Sequence, residues 1–167
     1  MSKKRVYQKK SFESTGSNSD TSANVYLSMM MSPAWKDLTP RQKVLYYYAK
    51  SRLYGQKTAE KQSLFKQYPD FKAPSNVDIF FSLSIGNVTK DAELYSETNL
   101  QAFYRDLESL ILHGFIRCVA CGNIARVKTI YTYSDKWQIW NTPTFKIEPN
   151  EMTSAMRKKY LTTICCE

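Results

Sequence analysis

An α+β domain is the fold class predicted by three features of the chain. From Phe103 to His113 the apolar residues return every three or four positions, the period of a helix with one buried face. Gly114 interrupts that rhythm, and the runs "FIRCVA" and "KTIYTY" after it alternate as half-buried strands do. A second helix signal, "TPRQKVLYYYAKSRLYG", lies upstream. A chain of 167 residues can bury a self-supporting core, so one domain with tails is expected.

In chain order, residues 1–24 hold Lys3, Lys4, Arg5, Lys9 and Lys10 and then "SFESTGSNSDTSAN", too polar to repay the entropy of ordering. This stretch reads as a disordered basic tail, with phosphate attraction or mere solubility as its role. Residues 25–145 form the domain, and 146–167 a C-terminal tail with some helix. Ser32 as cap and Pro33 at the first helical position predict a short helix in "SPAWKDL". Thr39 and Pro40 repeat the device, Val44, Leu45, Tyr47 and Tyr48 form the apolar stripe, and Gly55 stops the helix. Residues 56–76 read as a polar loop with one helical turn at "AEKQSLFKQY". "VDIFFSLS" reads as a strand, and Leu83 to Lys90 as a short helix.

The next helix is expected from Glu97 to His113, with Leu100, Phe103, Leu107, Leu110 and Ile111 on its core face. Gly114 supplies the left-handed stop and Phe115 returns to the core. "CGNIARV" then closes a hairpin with Gly122-Asn123 at its tip. Short strand, helix, helix, glycine stop, two-stranded wing: this is the plan of a winged helix-turn-helix, here with extra N-terminal helices.

Charge points the same way. The net charge is +9, and between Arg41 and Lys66 seven bases (Arg41, Lys43, Lys50, Arg52, Lys57, Lys61, Lys66) face one acid, Glu60. A basic surface makes polyanions the partner class to test, although basic proteins without such a partner are common. A helix in the major groove can present polar side chains to base edges while its other face holds it rigid. Asn99, Gln101 and Arg105 are the candidate base-contacting residues. Arg126 and Lys128 on the wing, and Arg41, Lys43 and Lys50 on the earlier helix, are the candidates for backbone phosphates. Against this, from Glu97 to Lys136 four acids (Glu97, Asp106, Glu108, Asp135) nearly balance five bases (Arg105, Arg117, Arg126, Lys128, Lys136). Asp106 and Glu108 would repel phosphate if they faced it.

Three stretches, "SPAWKDLTPRQKVLYYYAKSRLYG", "NLQAFYRDLESLILHGFI" and "KTIYTYSDKWQIWNTPTF", resemble those of small winged-helix proteins encoded on plasmids and integrative conjugative elements of Gram-positive bacteria. The resemblance spans roughly Met29 to Phe145. It implies a cytoplasmic protein that binds double-stranded DNA in replication, transfer or transcriptional regulation of a mobile element. A homodimer on two half-sites, and contacts with replication or transfer proteins, are the partners expected. The alternative reading is a non-catalytic adaptor docking such proteins through Tyr46–Tyr48 and Trp137–Trp140.

Other features read as structural. Cys118 and Cys121 invite a zinc or redox reading, but strand alternation sends Cys118 to one face and puts Cys121 at the turn, so the two need not converge. With Cys165 and Cys166 they are expected to be reduced thiols, with no metal and no cofactor. His113, in the last turn of its helix, suits the dipole there. Trp137, Trp140 and Phe145 should close the open end of the core. No phosphate-cradling glycine loop or paired-acid motif proposes an enzyme, and no apolar run approaches the about 20 residues that span a bilayer.

Overall fold

The computed structural model describes residues 23–55, 66–68, 79–96, 98–122 and 127–164. The basic tail, most of the helical turn expected over 59–68, the hairpin tip with Asn123 and Arg126, and the Cys165-Cys166 pair lie outside them. Within the described residues the fold is α+β, with helices packed around one two-stranded antiparallel sheet.

A short helix α1 (Leu27–Met30) leads into α2 (Pro33–Asp37), which Ser32 opens as expected: its Oγ accepts the Trp35 N–H at 3.2 Å. Helix α3 (Pro40–Gly55) begins with a reciprocal cap. The Thr39 N–H donates to Gln42 Oε1 at 2.8 Å and the Gln42 N–H to Thr39 Oγ1 at 3.4 Å, which satisfies two donors at the helix start. Its buried face is not the expected stripe. Gln42, Leu45, Tyr46 and Ala49 turn inward, Tyr47 and Tyr48 are half-buried, and Val44 is exposed. Aromatic packing sets that phase. The Tyr46 ring meets those of Trp35 at 5.8 Å, Phe115 at 5.2 Å and Tyr133 at 6.3 Å, contacts each worth about 0.5–1.5 kcal/mol beyond area burial.

Helix α4 (Ile85–Ala92) is capped by Ser84 and buries Val88. Asn99 caps α5 (Leu100–Leu112), whose side chain accepts the Ala102 N–H at 3.3 Å. Phe103, Leu107, Leu110 and Ile111 are buried as expected, but Leu100 is exposed, because the core-facing stripe begins only at Ala102. Asp106, a charged residue, occupies the stripe as well.

Gly114 ends α5 at φ +73°, and a Cβ there would lie 2.7 Å from the Lys136 carbonyl carbon and the Trp137 nitrogen. Only glycine tolerates both the angle and the approach. Strand β1 (Ile116–Ala120) then pairs with β2 (Ile130–Tyr133), Ile116 opposite Tyr133 and Cys118 opposite Tyr131. The register slips between Cys118 and Ala120, a β-bulge at Val119. The expected strand in "VDIFFSLS" is reduced, among the described residues, to a single bridge: Phe81 exchanges both backbone hydrogen bonds with Tyr131, at 3.0 and 2.8 Å.

Beyond β2 the chain closes the core. A 3-10 turn (Lys136–Ile139) stacks Trp137 on Phe115, and Trp140 lies on His113 at 4.8 Å. The segment read as a tail packs on the domain. A second 3-10 turn (Pro149–Glu151) leads into α6 (Ser154–Ile164), and Met152 and Met156 join the core. Buried Glu151 holds this segment by accepting from Lys136 Nζ and from the Glu148 N–H at 2.8 Å.

Candidate nucleic-acid interface

The outward side of α5 is built by what the inward side excludes. Ala102, Phe103, Asp106 and Leu107 take the core, which leaves Gln101, Tyr104 and Arg105 exposed on the first two turns. Asn99 is exposed too, but its carbonyl oxygen is engaged in capping the helix it precedes. Farther along, Glu108 lies beneath α6, where Lys159 Nζ donates to it at 2.8 Å and the Tyr160 hydroxyl at 2.6 Å.

The two acids that threatened this face are thereby neutralised in place. Asp106, almost wholly buried, accepts from Arg41 Nε and Nη2, from Gln42 Nε2 at 3.2 Å and from the Tyr95 hydroxyl at 2.7 Å. Burial pushes Glu108 up, yet the hydrogen bonds from Lys159 and Tyr160 outweigh it and hold the carboxyl below its ordinary value. Arg105 therefore stands on a helix side whose neighbouring acids already have cationic partners.

The remaining candidates scatter. Arg41 is half-exposed, but its guanidinium is bound to Asp106 and lies over the Tyr95 ring at 5.3 Å. Lys50 folds onto the Tyr133 ring at 5.3 Å, and burial lowers its pKa. Both already serve internal partners, so of the three α3 residues Lys43, half-buried, is the one whose structure gives it no such task among the described residues. Lys128 is exposed two residues before β2, its N–H donating to Gln67 Oε1 at 3.0 Å and its carbonyl accepting the Tyr68 hydroxyl at 2.7 Å. Arg126 lies outside the described residues.

The structure does bring the α5 face to the hairpin. Tyr104 shares one cleft of about 340 Å³ with Gly122 and Thr129 at the hairpin base, and with Ser154 at the start of α6. Arg105 and Lys128 adjoin the lining residues Tyr104 and Thr129 in sequence but are not themselves part of the cleft wall. Comparison with known proteins finds no family model, no curated protein and no solved structure that matches the chain.

Three functional features were missed from sequence. Asp106 enters the sequence reading only as an acid that would repel phosphate if it faced it, although its place three residues beyond Phe103 puts it on the core stripe. Gln42, three residues after Thr39, carried the readable signature of the cap. Cys118 and Cys121 do converge: their Sγ atoms lie 3.3 Å apart. The bulge at Val119 is the reason, since one extra residue shifts the strand's alternation by a step. Among the described residues no group of three or more His, Cys, Asp or Glu could hold a metal ion, and no helix is long and apolar enough to cross a membrane.

Proposed function

We propose that this is a winged helix-turn-helix domain that binds double-stranded DNA through the first two turns of α5. The order α3, Phe81 bridge, α4, α5, glycine stop, β1, β2 supports the architecture. One observation carries the function: Gln101, Tyr104 and Arg105 stand outward at the N-terminal end of a helix whose acids are neutralised from behind. Helices that read the major groove do so with residues near their N-termini, and Gln and Arg are suited to adenine and guanine edges. Exposed Tyr104 adds an apolar surface for a thymine methyl. Lys128 and Lys43 supply phosphate contacts. On the resemblance in sequence, we read the protein's work as replication, transfer or transcriptional regulation of a mobile element in the cytoplasm.

A second reading, an adaptor for replication or transfer proteins, is favoured by a different feature. Leu100 and Tyr104 are 47 % and 58 % exposed on adjacent turns of α5, a foothold for a protein partner. Tyr46 and Trp137, by contrast, are largely built into the core. Fluorescence anisotropy of the full chain on a labelled random-sequence duplex, across a salt series, separates the two. DNA binding gives an affinity that falls with a log–log slope of about −0.9 per phosphate engaged. No measurable duplex binding at low salt overturns the DNA reading and leaves the adaptor.

A further inference from the structure

Cys118 and Cys121 are unlike in their surroundings. Cys118 is buried in β1, facing the Tyr131 ring side of the sheet, while Cys121 is partly exposed and forms part of the wall of the cleft. The Cys121 sulfur lies 3.3 Å from that of Cys118 and 3.6 Å from Arg157 Nη2, and Ser154 hydrogen-bonds it from the first residue of α6. Three features around the outer sulfur favour negative charge, a thiol donor, a guanidinium and the start of an eleven-residue helix, while burial and the Met152 carbonyl, to which the Cys121 thiol donates at 3.7 Å, oppose it. The inner sulfur belongs to a residue of the buried core cluster.

We propose that Cys118 and Cys121 form a redox-active dithiol, with Cys121 as the attacking sulfur and small disulfides admitted through the cleft as its oxidant. In the first step the Cys121 thiolate attacks one sulfur of the disulfide. That S–S bond breaks, a mixed disulfide forms on Cys121, and the expelled thiolate takes a proton from water. In the second step Cys118 gives up its proton and attacks the Cys121 sulfur, expelling the second small thiolate, which is protonated in turn. Two protein thiols are oxidised by two electrons and one small disulfide becomes two thiols.

The division of labour agrees with the electrostatics. The hydrogen bond from Cys118 is the largest influence on Cys121 and brings its pKa down to about 6 against the opposing effect of burial, with Ser154 and Arg157 assisting. The same hydrogen bond and burial push Cys118 far up. Tyr131, Tyr68 and, lining the same cleft, Tyr104 and Glu108 are other titratable groups nearby. Closing the disulfide removes the thiolate that faces Arg157, so oxidation acts on the contact between α6 and the hairpin base, one cleft wall away from Tyr104.

The test uses the full chain carrying Cys165→Ser and Cys166→Ser, so that only this pair reports. The protein is incubated with oxidised glutathione, quenched in acid, alkylated and weighed intact. The expected product has lost two hydrogens and takes no alkyl group. A further Cys118→Ser change should stop the reaction at one glutathione adduct on Cys121. A further Cys121→Ser change should leave Cys118 unmodified over the same period, with circular dichroism confirming that both variants remain folded. Independently of any variant, the rate of iodoacetamide alkylation of Cys121 should rise with a midpoint near pH 6. A parent chain that stays a dithiol in excess oxidised glutathione, or one in which Cys118 is modified before Cys121, would overturn the proposal.

Discussion

Arg41 and Asp106, 65 residues apart, are joined by a two-pronged ion pair that fastens α3 to α5. The Asp106 side chain is almost fully buried, whereas that of Arg41 is 43 % exposed, so the pair sits at the lip of the core. Gln42 and Tyr95 complete the carboxylate's shell. The hydrogen bond to Asp106 raises the pKa of Arg41, and burial followed by the Asp106 hydrogen bond raises that of Tyr95. A single acid thus orients two helices and a loop, and it removes a negative charge from the neighbourhood of Arg105.

Asp106→Ala removes the acceptor shared by three side chains. Arg41 can turn to water, but Gln42 and Tyr95 are left with unmet donors in a buried site. The expected loss is about 3 kcal/mol, within the range for breaking a buried pair from one side. Asp106→Asn keeps one acceptor oxygen and should cost less. Urea denaturation of the three chains checks this. A loss under about 1 kcal/mol for Asp106→Ala, the worth of one ordinary hydrogen bond, contradicts the hub.

Gly114→Ala introduces a methyl where two backbone atoms already stand 2.7 Å away, at a φ of +73°. Neither neighbour is the movable end of a side chain. The 3-10 turn must shift, loosening Trp137 from Phe115, and a loss of about 2 kcal/mol or more follows from strain of this kind. Thermal melting, with tryptophan fluorescence to follow Trp137, measures both effects. Unchanged melting would show that the turn yields easily.

Much of this was legible in the chain, because the signals concerned are local. Ser32 and Pro33, Thr39 and Pro40, and Gly114 each act on backbone groups within one turn, so their positions carry over directly into α2, α3 and the stop after α5. The phase of a helix is less local. Val44 and Tyr48 were expected to share one stripe with Leu45, but Tyr46 took the centre of the core because three distant rings receive it there. Partner choice was not legible at all. Nothing near Asp106 in sequence names Arg41, and nothing near Glu108 names Lys159 and Tyr160, both on a segment that read as a tail. The cysteine pair failed for a third reason: alternation presumes a regular strand, and the bulge at Val119 breaks it.

Arg105→Ala and Lys128→Ala should weaken duplex binding in different ways. Arg105 stands where base edges would be read, so its loss should cost about 1–3 kcal/mol and flatten the preference among duplex sequences. Lys128 stands at the hairpin base, so its loss should weaken all duplexes alike and reduce the salt slope by about 1. Selection from a random duplex library, followed by anisotropy on the winners, distinguishes these outcomes. Identical behaviour of the two variants would deny the helix its reading role.

Glu108 gives the fold an acid-sensitive clasp. Its carboxyl binds Lys159 Nζ and the Tyr160 hydroxyl, tying the middle of α5 to α6. Its folded-state pKa lies below the ordinary 4.5, so the unfolded chain takes up the proton first as the pH falls. The stabilisation is therefore complete above the unfolded value and is lost as the pH drops through the folded one. Glu108→Gln retains the size and a carbonyl acceptor but carries no charge at any pH. The parent should melt above the variant at neutral pH, and the gap should close only as the pH falls through the lowered folded-state value, where the parent's carboxyl becomes neutral too. Because Lys159 is exposed, high salt should narrow the gap at neutral pH as well. A gap that stays constant from neutral to acid pH would mean that α6 is held by Met156 and the apolar contacts alone, with no contribution from the clasp.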